Sequence, residues 1–173
     1  MKYLLDANIF IQAKNLQYGF DFCPAFWDWL DEQFEAENLG SIEKVLDELK
    51  AGDDDLSAWA AGRPSMFAQP DAPVAESLRA VSRWAATAHY DPAAVNTFLQ
   101  DADYYLVAHA HAHQLTVITH EVPANSIKKI KIPNACIDLQ IKCMNPYEML
   151  RVERARFVLG RAFRSTYPRT QRA

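Results

Sequence analysis

Carboxylates in this chain stand where strand ends and helix faces could gather them. Asp6 directly follows the apolar run from Lys2 to Leu5, and Glu121 follows Leu115–Thr119 with only His120 between. Open parallel sheets bind ligands in the crevice outside the carboxyl ends of their strands. Two acids at two such ends are therefore candidates for one site, although a strand-end acid can equally be a plain helix cap. Asp103 lies on a helical stripe with Leu99, Leu106 and Ala110. That stripe directs it toward the packed face, where a carboxylate is costly unless paired or bound to a cation. Asp101 points elsewhere and reads as a solvated acid. Glu48 falls one turn after Val45 at the edge of an apolar helix face, with Glu43 and Asp47 as competitors.

Converging, these four acids would make a hard-oxygen site. Mg²⁺ takes octahedral oxygen ligands, keeps several waters and uses few direct carboxylates. Such ions activate water and stabilise both oxygens of an in-line displacement at phosphorus. None of the serines or cysteines sits in a recognisable nucleophile motif. His109, His111 and His113 resemble a metal cluster, but only His109 and His113 share a helix face, there is no HExxH motif, and a third ligand would come from afar, such as His89. The expectation is solvated or substrate-side histidines. Trp27 and Trp29 read as core or interface aromatics.

The elements that must position these groups alternate between strand and helix. Lys2–Leu5 reads as the first strand and Ile9–Ala13 as the start of a helix. Phe26, Trp27, Leu30 and Phe34 recur at helical spacing within 22–37. Ser41 is the expected cap of a helix carrying Ile42, Val45, Leu46 and Leu49 on one face, ended by Ala51-Gly52-Asp53. Further helices are expected near Leu56–Ala61, over Val74–His89, over Ala93–Leu99 behind Asp91-Pro92, and over Ala102–His113. Leu115–Thr119 reads as a buried parallel strand. Lys131–Leu139 reads as an extended segment interrupted by Pro133, and Asn145-Pro146 opens a helix to roughly Leu159. This alternation predicts an α/β fold with a mostly parallel sheet.

Charge is unevenly placed. The 173 residues carry a net −4, yet seven arginines from Arg151 onward stand against Glu153 alone. That is +6 locally, against −10 for residues 1–150. The basic end could neutralise RNA phosphates, pair with an acidic partner or be a solvated face. The three cysteines, Cys23, Cys136 and Cys143, show no CxxC spacing and read as reduced thiols. No apolar run approaches the roughly 18 residues that span a bilayer, and Asp6 comes too early for a signal peptide. A soluble, cytoplasmic protein without membrane contact is expected.

Four segments in order resemble the acidic motifs of PIN domains. Tyr3-Leu4-Leu5-Asp6-Ala7-Asn8-Ile9-Phe10 resembles their opening strand, and Val45-Leu46-Asp47-Glu48-Leu49 their glutamate-before-leucine helix. Ala102-Asp103-Tyr104-Tyr105-Leu106-Val107-Ala108-His109-Ala110 resembles the third motif, and Val117-Ile118-Thr119-His120-Glu121 the fourth. Lys131-Ile132-Pro133-Asn134-Ala135-Cys136 and Met149-Leu150-Arg151 further resemble a bacterial PIN-like subgroup catalogued as a domain of unknown function.

The resemblance implies a three-layer α/β/α nuclease domain over residues 1–159, with 160–173 as a basic tail. It implies a Mg²⁺- or Mn²⁺-dependent endoribonuclease, often the toxin of a toxin–antitoxin pair. RNA is then the substrate, with a cognate antitoxin and a homodimer as partners. Carried over by position, Asp6, Glu48, Asp103 and Glu121 are the metal-binding acids, and Asn8 and Thr119 orient ligands or water. Glu121 stands where many members have Asp, and the long stretch between Glu48 and Asp103, with Trp59, Phe67 and Trp84, is an insert. The alternatives are a non-catalytic PIN-like interaction module and a structure-specific DNA nuclease.

Overall fold

Tyr3, Leu4 and Leu5 are all buried, as a strand covered on both faces requires. In the computed structural model, which describes residues 1–158, they form β1 (Tyr3–Leu5) at the centre of a five-stranded sheet. Its other strands are β2 (Leu39–Ile42), β3 (Phe67–Ala68), β4 (Thr116–Ile118) and β5 (Cys143–Met144). The order is β3-β2-β1-β4-β5 and every pairing is parallel. From β1 the chain winds outward to β2 and β3, then returns to place β4 on the other side. The β1–β4 boundary is thus a topological switch point, where the loops above adjacent strands diverge and leave a crevice. Leu5 pairs with Ile118, so Asp6 and Thr119 leave the sheet side by side.

Helices cover both faces, giving the expected three-layer α/β/α architecture. They are α1 (Ala7–Gln12), extended by a π-helical turn Ala13–Gln17, α2 (Pro24–Glu35), α3 (Glu43–Lys50), α4 (Asp55–Ala61), α5 (Ala72–Thr87), α6 (Pro92–Gln100), α7 (Ala102–His113), α8 (Ile132–Asp138) and α9 (Pro146–Val152). Trp27 is fully buried, stacked on Phe20 at 4.1 Å and edge-on to Trp59 at 5.0 Å. Truncating such a side chain to alanine costs about 3–5 kcal/mol. Trp27 is therefore core, as expected, while Trp29 is only partly covered. The insert supplies α4, the edge strand β3, α5 and α6, and α5 lies along α7. No helix among the described residues is long and apolar enough to cross a membrane.

Three local expectations are corrected. Ser41 does not cap α3. It lies in β2 and donates its hydroxyl to the Leu5 carbonyl at 2.6 Å, leaving Ile42 at the cap position. The segment read as extended between Lys131 and Leu139 is α8: Pro133 sits in its first turn, where a missing N–H costs nothing, and Ile132, Ala135 and Cys136 are buried at helical spacing. The last helix stops at Val152 because Arg154 adopts a left-handed φ of 53°. Its start is as expected, with Asn145 and Glu148 forming a reciprocal capping box. The proposed tail, 160–173, lies outside the described residues.

Candidate active site

Asp6 is the residue at which β1 ends and α1 begins. Its N–H continues the sheet by donating to the Ile118 carbonyl at 3.0 Å. Its side chain does not cap α1. Instead it accepts the Thr119 hydroxyl at 2.7 Å and the Asn8 amide. Asn8 also donates to the Thr119 oxygen at 3.0 Å and accepts the His120 N–H at 3.1 Å. Thr119 accepts the Glu121 N–H at 3.0 Å. A hydroxyl has one donor and two acceptor sites, and all three of Thr119 are used. Asn8 and Thr119 thus fasten the end of β1 to the end of β4.

Asp103 stands in the first turn of α7, partly buried, next to the cap residue Asp101. Asp101 and Asp103 line a hollow of about 280 Å³ with Thr97, Lys128 and Lys129. An adjoining hollow contains Glu48 and again Asp101 and Thr97. Glu48 projects from α3, whose Val45 and Leu49 are buried beneath it.

The electrostatics tie these groups together. Burial, and then the charges of Asp6, Asp101 and Glu121, push the Asp103 carboxyl up to about 8, against a pull from Lys129. Burial pushes Asp6 up to about 7; the Thr119 hydrogen bond opposes this, and Glu121 and Glu48 add to it. Partial desolvation and then Asp101 raise Glu48, which keeps an exposed side. Asp6 thus feels the charges of Glu121 and Glu48, and Asp103 those of Asp6 and Glu121. Among the described residues no lysine or arginine forms an ion pair with Asp6 or Asp103.

Glu121 is placed differently. It accepts from the Lys131 ammonium and from the Ile132 N–H at 2.9 Å, with Lys129 at 4.0 Å. Its charge is already partly neutralised at the start of α8. Asp101, read from the sequence as a solvated acid pointing elsewhere, lines the same hollow as Asp103 and raises its pKa, and the lysines were not anticipated. Their only signal was the Lys128-Lys129-Ile130-Lys131 run, and nothing local paired it with Glu121.

The donor set suits a hard divalent cation: oxygen ligands, a local surplus of negative charge, and carboxyls that desolvation holds above their ordinary range. In the present side-chain arrangement, no three His, Cys, Asp or Glu groups among the described residues stand close enough to share an ion. The histidines do not supply an alternative. His109 is buried rather than solvated, packed 5.0 Å from the His113 ring. His113 pairs with Asp71 at 3.1 Å, and His111 bonds Ser77 at 2.7 Å.

A family model described as a domain of unknown function (DUF4411) matches residues 3–157. The chain belongs to this family. The DUF4411 match begins at the start of β1 and ends beyond α9, so Asp6, Asn8, Glu48, Asp103, Thr119 and Glu121 all fall within it. No curated protein and no solved structure gives a significant match.

Proposed function

We propose that this DUF4411 chain is a PIN-like, Mg²⁺- or Mn²⁺-dependent endoribonuclease. The observation that carries the reading is that Asp6, at the switch point of an all-parallel sheet, and Asp103 are desolvated carboxylates with raised pKa values, the Asp6 charge adding to the rise at Asp103. Asp6 and Asp103 would hold the ion, Glu48 would join them directly or through water, and Glu121 would lie on the far side of the crevice. When bound, the ion supplies charge that lowers the pKa of water and stabilises phosphate oxygens.

The chain's own groups do the rest. Thr119 and Asn8 orient the Asp6 carboxylate and favour its ionised form. Lys128 and Lys129, beside Asp103, neutralise substrate phosphates. Glu121, steadied by Lys131 and the Ile132 N–H, accepts a hydrogen bond from the attacking water or positions a second ion. The role of toxin, with a cognate antitoxin as partner, is what the resemblance of the four acidic motifs to those of PIN domains implies. A DNA nuclease would use the same chemistry.

The test is cleavage of single-stranded RNA and DNA with Mg²⁺, Mn²⁺ or EDTA. RNA should be cut only with metal, without a 2′,3′-cyclic phosphate product. RNA carrying a 2′-deoxy group at the scissile nucleotide should still be cut. Loss of cleavage from that substitution alone would mean attack by the neighbouring hydroxyl and would sink the mechanism.

A further inference from the structure

A second feature lies beside the acidic crevice. A groove of about 700 Å³ is lined by Tyr18, Tyr147, Arg151, Arg154, Arg156 and Phe157, with no acidic residue in its wall. The three arginines are exposed, and among the described residues none pairs with a carboxylate. The one acid of this stretch, Glu153, is occupied elsewhere: it accepts from Lys2 at 2.7 Å, from Asn38 at 3.1 Å and from the Tyr3 hydroxyl. That anchor pins the turn after α9 to β1, and Arg151, Arg154 and Arg156 stay exposed on the groove.

The aromatic side of the groove is built rather than incidental. Tyr18 stacks on Phe26 at 4.3 Å with nearly parallel planes, and its carbonyl accepts the Trp27 indole N–H at 2.6 Å. Phe157 packs against Tyr18 at 5.7 Å and edge-on to Phe26 at 5.9 Å, which fixes the segment carrying Arg156. One face of Tyr18 is thus covered, so it acts as a wall. Tyr147 is the exposed ring, 40% accessible. Its edge contact with His120, 5.8 Å between centroids, links the groove to the crevice, because the His120 N–H bonds Asn8 beside Asp6.

We infer that this groove carries the strand flanking the scissile bond of a single-stranded RNA, with Arg151, Arg154 and Arg156 on successive phosphates and Tyr147 stacked on a base. Aromatic platforms beside a positive track are how single strands are held without sequence readout. The choice of RNA over other polyanions rests on the nuclease reading. The geometry makes the groove and the acidic crevice two parts of one path.

The experiment measures binding of a labelled single-stranded RNA to the full chain in EDTA, where cleavage is off, across a salt series. The triple variant Arg151→Gln, Arg154→Asn, Arg156→Gln removes the charges; Asn at 154 tolerates the left-handed backbone. Its slope of log affinity against log salt should flatten by about 2, since each phosphate contact on a single strand contributes about 0.7. Tyr147→Ala should weaken binding roughly tenfold with the slope unchanged, as loss of one stacked base predicts, and Tyr147→Phe should restore it. Unchanged slope and affinity in the triple variant would overturn the proposal. So would a variant that loses only polyglutamate binding, which would mark the groove as a seat for an acidic protein segment. A chain that binds RNA in this groove yet cuts nothing with any metal removes the nuclease reading and leaves the groove standing. Metal-dependent cleavage with indifferent groove variants does the reverse.

Discussion

Thr119 donates its hydroxyl to Asp6 across 2.7 Å, from the end of one strand to the end of its neighbour. This bond is the clearest case in the molecule of a buried polar group positioned to serve another. It holds the carboxylate in place and opposes the rise in its pKa that burial causes.

Thr119→Val keeps the shape and removes the hydroxyl. Partners of metal-binding side chains typically change affinity or activity 10–100-fold when lost. Mn²⁺ affinity by calorimetry should fall by about that factor, while Thr119→Ser should stay near wild type. Equal affinity in the valine variant would mean that Asp6 needs no partner.

Stability should depend on pH in an unusual direction. Asp103 titrates at about 8 and Asp6 at about 7 in the folded chain, against 3.8 for a free aspartate. The folded state therefore keeps protons that the unfolded state has released. Their contribution is fully present below pH 4 and is lost as pH rises through 7 and 8. In EDTA, Asp103→Asn should melt above wild type at pH 8, and the gap should close as pH falls toward 4. Mn²⁺ at 100 times its dissociation constant should add about 2.7 kcal/mol to wild type. For a domain of this size that is roughly 5–10 °C, and the asparagine variant should lose most of it. A variant with the full Mn²⁺ shift would remove Asp103 from the ligand set.

The register of α3 can be decided by a pair of variants. Glu48 shares a hollow with Asp101 and raises the Asp6 pKa. Glu43 faces a different hollow, with Pro70, Tyr105 and His109. Single-turnover cleavage should fall at least about 100-fold in Glu48→Gln, on the scale of lost electrostatic stabilisation, and change less than about twofold in Glu43→Gln. The opposite ranking would reassign the helix.

Much of this arrangement was legible because it depends on local pattern. The apolar run before Asp6, the stripe bearing Asp103 and the strand before Glu121 are each written within a few residues. The β2 strand was not, because Gly40 and Ser41 break its apolar run. Both have tertiary reasons: a Cβ at residue 40 would meet the Met66 carbonyl at 3.1 Å, and Ser41 bonds Leu5. Strands β3 and β5 have only two residues each, too few for any periodicity. Pro133 was read as interrupting a strand because proline at the start of a helix and proline within an extended run look alike over so short a stretch. The burial of His109 depends on α5 packing against α7, and the Lys131–Glu121 pair on the turn that brings α8 back; neither leaves a local signature.

The central place of β1 has a consequence for synthesis. One neighbour, β2, follows soon after it, but the other, β4, is made only after all of α1 to α7. Domains generally fold as units during synthesis. Until β4 and the residues after it have been made, Asp6 has neither Thr119 to orient it nor Glu121 near it. The crevice therefore cannot be complete before β4 has been made, so any catalytic power built there comes later than the strand that carries Asp6.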